Sequence, residues 1–290
     1  MSASPFQLPF HRTTVIGTLY IVATPIGNLE DITLRALRVL REVAWIACED
    51  TRQTRKLLEH FGIAKPMVSY HEHNESGRAA ELVEKLVGGG SGALVTDAGT
   101  PLVSDPGYRL VSAAIAAAVP VVPIPGPSAV VSALSAAGLP TDAFRFCGFL
   151  PPKSSQRRKT LELLKPEIGT LIFYETPHRI LEALEDVAAV MGVRPVVVAR
   201  ELTKLHEEFL RGTAAEVRAE LASRPSVKGE ITLLIGKSEV VEADDTSLEE
   251  AVRAAERHGL PRMEAIKQVA RQRGLAKREV YRLIAGDGGR

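Results

Sequence analysis

From residue 18 to residue 138, short apolar runs rich in β-branched residues alternate one for one with segments whose apolar residues recur three and four apart. This alternation constrains the chain more than any other feature. A short apolar run bounded by turn residues reads as a buried strand, and a period near 3.6 reads as a helix. Strands that alternate with helices pair in parallel and carry helices on both faces of the sheet. "TLYIVAT" (18–24), "AWIACE", "MVSY", "GALVTD" and "PVVPI" are the expected strands. "DITLRALRVLREV", "TRQTRKLLEHFG", "GRAAELVEKLV", "YRLVSAAIAAA" and "PSAVVSALSAAG" are the expected helices. Asp31 or Thr33 suits the first N-cap, and the last helix runs from Pro127 to Gly138, the usual start and stop residues. Open sheets of this kind bind ligands beyond the carboxyl ends of their strands. The loops at those ends are "ATPIGN", "VTDAGTPLVSDPG" and "PIPGPS".

A second set of elements starts near Leu139. "FRFCGFL" reads as a strand, "PPKSSQRRKT" as a basic loop, and "TLIFYE", "PVVVARE", "EEFLRG" and "GEITLLIG" as strands around two helices, with more hairpin character. The expected organisation is a loose tail at 1–17, an N-terminal α/β domain at 18–138 and a C-terminal α/β domain at 139–238. A polar linker at 239–246 and a helical domain at 247–290 complete it. The 290 residues suffice for about two domains of ~150 residues.

Composition narrows the function classes. Apolar content is 45%, charged content 24% and net charge +1, so a nucleic-acid partner must be held by local basic patches. Cys48 and Cys147 lie in unrelated segments without metal or disulfide spacing, as in a reduced cytoplasmic protein. The start of the chain lacks the pattern of a signal peptide. No apolar run approaches the ~20 residues that span a bilayer.

Several familiar motifs fail. "GGGSG" (88–92) lacks the Gly-Lys-Ser/Thr ending of a phosphate loop and reads as a turn. No GxGxxG follows the first strand, and no GxSxG elbow is present. His71 and His73 in "HEH" lack an obvious third ligand, so no metal is expected. What remains is a concentration of polar, backbone-dominated loops at strand ends: Thr24 to Asn28, Glu49 to Arg52, His71 to Glu75, Asp97 to Thr100 and Gly126 to Ala129. Such loops suit a zwitterionic, nucleoside-like ligand, because Gly and Ala let the main chain approach a flat ring.

"GTLYIVATPIGNLEDITLRAL", "CEDTRQTRKLL", "SYHEHNE", "VTDAGTPLVSDPGYRLV", "PIPGPSA", "GFLPPKSSQRRK", "FYETPHRI", "ARELTKLHEEFLRG" and "KGEITLLI" follow one another in order. Together they resemble the class III, tetrapyrrole-methylase-like S-adenosyl-L-methionine methyltransferases over about residues 17–285. Within that superfamily they resemble the branch that methylates the ribose 2′-hydroxyl of a decoding-region cytidine in 16S rRNA of the small ribosomal subunit. The porphyrin enzymes typically carry Gly-Gly-Asp-Pro where this chain has Asp97-Ala98-Gly99-Thr100-Pro101, which favours the RNA branch.

The resemblance implies two α/β domains of the tetrapyrrole methylase fold with a cofactor cleft between them, plus a small helix-turn-helix-like C-terminal domain, usually as a homodimer. It implies that Asp97, Ala98 and Gly99 wrap the methionine end of the cofactor, with Val103, Ser104, Ser128 and Ala129 nearby. Pro25 and Gly27 at the first strand end join this set. Tyr174, Glu175, Leu202, Gly229, Glu230 and Ile231 would contribute from the second domain. Asp97 also suits a turn cap, Gly126-Pro127 a helix start, and Glu175 a helix N-terminal acid.

Two basic segments stand out. Lys153, Arg157, Arg158 and Lys159 lie beside the expected cleft, suited either to phosphate contact or to a solvated helix entry. "PRMEAIKQVARQRGLAKREVYRLI" carries Arg262, Lys267, Arg271, Arg273, Lys277, Arg278 and Arg282 against Glu264 and Glu279. Its apolar spacing, with Gly274 at the turn, fits a helix–turn–helix, read as RNA contact or as a capping bundle. Methyl transfer to a ribose hydroxyl benefits from a nearby base. The sets Glu49-Asp50-Arg52 and His71-His73-Asn74 both qualify, and Asp50 with Arg52 also suits a plain ion pair at a helix start. A tetrapyrrole C-methyltransferase and a metabolite-sensing DNA-binding regulator are the alternative functions; the first gives the basic tail no purpose, and the second leaves the polar loops unexplained.

Overall fold

The computed structural model describes residues 16–237, 247–257, 260–272 and 275–286. The chain forms two compact units, Met1–Lys237 and Ser238–Arg290. The expected linker at 239–246 and nearly all of the expected tail lie outside the described residues.

The first sheet is built from β1 (Leu19–Val22), β2 (Trp45–Cys48), β3 (Met67–Ser69), β4 (Gly92–Leu94) and β5 (Val121–Ile124). Between them run α1 (Leu34–Glu42), α2 (Thr51–His60), α3 (Glu75–Val87) and α4 (Tyr108–Ala116). The strand order is β3-β2-β4-β1-β5, and every pairing is parallel. The two faces are sorted by the period-2 alternation of strand side chains. Ile46, Cys48, Ala93 and Val95 pack with Ala36, Val39 and Leu40 of α1 and Leu58 of α2. Trp45, Ala47 and Leu94 pack on the other face with Ala79, Leu82 and Leu86 of α3 and Leu110 and Ala114 of α4. Trp45 lies flat over Gly92, where a Cβ would meet its ring at 2.2 Å. Of the two residues suited to cap α1, Thr33 does so, accepting from the Ala36 amide.

Helix α5 (Ala129–Ala137) leaves the first sheet and ends at Gly138 with φ +76°. Its Val130, Ala133, Leu134 and Ala137 pack against the second sheet, on Ile172, Val197, Ala199 and Leu234. The second sheet contains β6 (Phe144–Phe149), β7 (Thr170–Glu175), β8 (Pro195–Arg200), β9 (Glu208–Thr213) and β10 (Ile231–Ile235), ordered β6-β7-β10-β8-β9. Only β6 and β7 pair in parallel; the other pairings are antiparallel. The far face carries α6 (Ser154–Leu164), α7 (Ile180–Met191) and α8 (Ala214–Ala222), so this sheet lies between α5 and three helices. Register aligns Glu175, Ile231 and Arg200 in one row at one end of the sheet.

The expected basic loop at 151–160 is largely helix, since α6 starts at Ser154. Its inward positions are Arg157, Leu161 and Leu164, at helical spacing. An arginine fills the first core position and hides the periodicity. Arg157 is only 1% exposed and binds Asp186 of α7 at 2.6 Å, with further contacts to the Pro151 and Pro152 carbonyls.

The second unit consists of α9 (Leu248–Arg257), α10 (Arg262–Gln272) and α11 (Lys277–Gly286). Val252, Ala255, Ala265, Ile266, Val269, Ala270 and Val280 form its core. Helices α10 and α11 are the expected helix pair, while Gly274 at their turn lies outside the described residues. Among the described residues no helix is long and apolar enough to cross a membrane.

Candidate active site

The loops after β1 and β4 are tied together. Thr24 and Gly99 exchange both backbone hydrogen bonds, at 2.9 and 3.0 Å. The Thr24 hydroxyl donates to the Thr96 carbonyl at 3.0 Å, and the Thr100 hydroxyl donates to the Pro127 carbonyl at 3.1 Å. The path through residues 99–107 requires left-handed backbone at Gly99 (φ +84°), Leu102 (+72°) and Ser104 (+66°). Outside glycine that conformation costs energy, and it persists where surrounding contacts enforce it. Glu201 (+52°) and Thr203 (+65°), which flank Leu202, share it.

These loops and the end row of the second sheet enclose a cavity of about 320 Å³. Ala98, Gly99, Val103, Ser104, Ser128, Ala129, Tyr174, Glu175, Leu202, Gly229, Glu230 and Ile231 line it, as twelve of the fifteen residues expected at a cofactor cleft. Pro25, Gly27 and Asp97 instead line a neighbouring cavity of about 480 Å³. The two cavities share Ile26, Ala98 and Glu230 as walls. Lining residues that sequence reasoning missed include Asp105, Phe149, Thr176, Pro177, Ala199 and Thr232. Asp105 belongs to the loop singled out at the end of β4. The others lie in segments brought together only when the sheets pack; the blocks that carry the resemblance include them, but nothing in those blocks marks these residues as cavity lining.

The larger polar groups are tuned by burial. Burial pushes the Asp105 and Glu175 carboxyls up from the ordinary carboxylate range. It pushes the Tyr174 hydroxyl up to about 12. The Tyr174 ring meets Phe146 and Phe149 edge to face, at 4.9 and 5.7 Å between centroids, giving the cavity an aromatic wall. Glu175 accepts from the Thr176 amide at 2.8 Å and pairs with Arg179 at 3.3 Å. Helix α5 starts at the cavity wall, where Ser128 and Ala129 line it, and has no side-chain cap; the first amides of a helix have no partner within it.

The expected catalytic sets lie outside both linings. Asp50 caps α2 through the Arg52 amide at 2.8 Å and grips the Arg52 guanidinium at 3.1 and 2.9 Å. That contact lowers the Asp50 carboxyl to about 2, making it a poor base. Arg52 is 84% exposed in its side chain. Glu49 is raised instead, by burial and then by the charges of Asp97, Asp105 and Glu72. The Asp50 amide donates to Asp97 at 3.1 Å, linking this turn to the cavity loop. Asn74 is bound locally: it accepts from the His71 amide, donates to the Ser69 carbonyl and lies 3.2 Å from His71 Nε2. The His71 and His73 rings are 5.9 Å apart.

Of the expected RNA-binding residues, Lys153 and Lys159 are exposed on and before α6, and Lys277 and Arg278 are exposed on α11. Arg157, expected among them, is instead buried against Asp186, because a cation this deep must be paired, and it does not reach a phosphate. Arg158 is half-exposed and bound to the same carboxylate. Arg273 and the side chain of Arg271 lie outside the described residues.

The family model described as Tetrapyrrole (Corrin/Porphyrin) Methylases matches residues 18–218. Ribosomal RNA small subunit methyltransferase I of Halalkalibacterium halodurans is 51% identical over 273 residues, covering 92% of this chain and 94% of that one. The protein of the same name from Bacillus subtilis is 43% identical, covering 95% and 96%. Among solved structures, diphthine synthase matches with a TM-score of 0.60 and 17% identity over 77% of this chain and 91% of that one. Uroporphyrin-III C-methyl transferase from Thermus thermophilus, complexed with S-adenyl homocysteine, matches with a TM-score of 0.52 and 18% identity over 76% and 97%. These two likenesses show the fold. The sequence relatives go further: the chain is a methyltransferase that belongs to the tetrapyrrole methylase family and, within it, to the family of ribosomal RNA small subunit methyltransferase I.

Proposed function

We propose that this enzyme uses S-adenosyl-L-methionine to methylate the ribose 2′-hydroxyl of a cytidine in the decoding region of 16S rRNA, acting on the small ribosomal subunit in the cytoplasm as a homodimer. The cavity between the two sheets carries this reading. It is lined on one side by Tyr174 and Phe149 and on another by the backbone at Gly99 and Gly229. Tyr174 and Phe149 suit the flat adenine ring. The first amides of α5 suit a carboxylate. Asp105 and Glu175 suit the ammonium and sulfonium charges, which in turn favour their ionised forms. The relatives' shared name supports rRNA as the substrate.

When bound, the sulfonium supplies an electrophilic methyl group. The protein must hold the ribose oxygen in line with it, within about 3–3.5 Å. The hydroxyl proton must leave as the new C–O bond forms. Glu49, raised toward a useful basicity and linked to Asp97 through the same turn, suits that proton better than Asp50. Asp50 instead holds Arg52 in a forked geometry that suits a phosphate.

The test is transfer of labelled methyl from S-adenosyl-L-methionine to small subunits that lack the modification, followed by alkaline hydrolysis of the rRNA. A 2′-O-methyl group blocks cleavage at its own position, so one protected cytidine is expected. Label that stays sensitive to alkali places the methyl on a base and overturns the ribose assignment. Sedimentation of the purified enzyme at twice the 31.3 kDa chain mass is the result expected of the homodimer.

A further inference from the structure

We propose that Arg179 is a positioning residue for the cofactor. Its guanidinium ties the Glu175 carboxylate to the strand end that carries Phe149, and so holds a charged wall and an aromatic wall of the cavity in one arrangement. This rests on the cofactor assignment made above and adds to it a residue outside the cavity lining. Arg179 stands one residue before α7, with 26% of its side chain exposed.

The turn between β7 and α7 folds this arginine back on the strand. The Thr176 carbonyl accepts from the amides of Arg179 and Ile180, both at 3.1 Å, which sets Arg179 beside Glu175. Arg179 Nη2 donates to Glu175 Oε2 at 3.4 Å and to the Leu150 carbonyl. Its Nε lies 3.3 Å from Oε1, as an ion pair without hydrogen-bond alignment. Oε1 accepts instead from the Thr176 amide at 2.8 Å. Leu150 directly follows Phe149, and β6 needs a hold at this end. It is the edge strand, it pairs only with β7, and a bulge between Phe146 and Phe149 interrupts its ladder. Across that pairing Phe149 stands opposite Tyr174. One guanidinium thus bonds to two neighbouring strands where both reach the cavity.

A carboxylate is a destabilising choice at the Glu175 position. Its side chain has no exposed surface, although the residue lines the cavity. Burying an ionised group costs stability unless it is paired, and an apolar residue would fill the same space without that cost. A charge kept here against that cost is one that the cavity uses. Burial pushes the Glu175 carboxyl up, while the Thr176 amide and then the charges of Arg179 on α7 and Arg157 on α6 oppose the shift. Arg157 is already bound to Asp186, so Arg179 is the cation in contact with Glu175. The other titratable groups lining the cavity are Asp105 and Glu230, of the same sign, and Tyr174, whose hydroxyl at about 12 stays neutral. Arg179 therefore favours the charged carboxylate that a cationic ligand needs.

The test measures S-adenosyl-L-methionine affinity of the full-length enzyme by calorimetry from acid to alkaline pH, beside thermal melts of each variant. A carboxylate that binds a cation loses affinity as pH falls through its pKa. Arg179→Gln is expected to weaken binding about tenfold at alkaline pH, where Glu175 is ionised in both proteins. It is also expected to move the acid limb of the affinity profile upward by about one pH unit. Adding Glu175→Gln should remove that displaced limb and leave only what Asp105 and Glu230 contribute. Arg179→Lys should return the limb to its wild-type place without restoring the alkaline affinity, because a point charge cannot fork onto both partners. A folded Arg179→Gln with wild-type affinity overturns the proposal. So does equal weakening at every pH, which assigns Arg179 to packing alone. If Arg179→Gln does not fold, Arg179→Lys decides, and wild-type alkaline affinity in it overturns the proposal. If the wild type itself binds no S-adenosyl-L-methionine, the cofactor assignment falls, and this role with it.

Discussion

Gly99 combines two demands on one residue. Its φ of +84° lies where a β-branched residue is strained, and an added Cβ would sit 3.4 Å from Ile26 in the cavity wall. Gly99→Val is therefore expected to weaken S-adenosyl-L-methionine binding at least about tenfold, or roughly 1.4 kcal/mol. Calorimetry on the folded variant checks it, and unchanged affinity removes the 97–101 loop from the cofactor site. Asp50 makes a different prediction, in pH. Its carboxyl ionises at about 2 in the folded chain against an ordinary 3.8, so the native state refuses a proton that the unfolded chain accepts between those values. The stabilisation is complete above that window and is lost as pH falls through it. Urea midpoints measured from about pH 5 downward should fall more steeply for the wild type than for Asp50→Asn. Parallel curves for the two proteins would show that Arg52 does not hold this carboxylate in solution.

Helix α6 shows how a single buried charge alters the reading of an element. All five β-α alternations from residue 18 to residue 138 are plain from apolar runs and helical spacing alone, from "TLYIVAT" to "PVVPI". At α6 the core position is Arg157, so composition reads as a basic loop although the backbone is helical. The pairing residue, Asp186, lies 29 positions away and is invisible until α6 and α7 pack. The same holds for the cavity. Its loops announce themselves through Gly, Pro and Asp, whereas Phe149, Ala199 and Thr232 belong to strands and strand ends that look like ordinary sheet. The Arg157–Asp186 pair also carries a stability prediction. Asp186 is held below the ordinary carboxylate range: burial opposes this, but hydrogen bonds from Arg158, Arg157 and Ser154 outweigh it. Asp186→Ala leaves the buried Arg157 with only the longer, exposed contact to Glu182 at 3.6 Å and is expected to cost about 3 kcal/mol in urea unfolding. Replacing both members with apolar residues should cost much less, since removing both charges avoids an unpaired one. Equal losses in the single and double variants would locate the effect in packing.

At the scale of the whole chain, the two compact units invite separate roles. Deleting residues 238–290 removes α9, α10 and α11 together with the exposed Lys277 and Arg278. Cofactor affinity should be unchanged, because every cavity residue belongs to the first unit. Binding to rRNA should weaken, and its salt dependence should flatten by about 0.7–0.9 in the log–log slope for each phosphate that the shortened chain no longer neutralises. A truncated enzyme that methylates small subunits at the full rate would free those helices from substrate recognition. The chain also carries its own optical probe. Trp45 is its one tryptophan, 6% exposed and laid over Gly92 inside the first sheet. Indole emission shifts to longer wavelength on reaching water, so fluorescence follows the first sheet alone, while circular dichroism follows every helix and strand. If the two signals change together during denaturation, the chain unfolds as one cooperative body; if emission lags or leads, the gap gives the order in which the first sheet and the rest come apart.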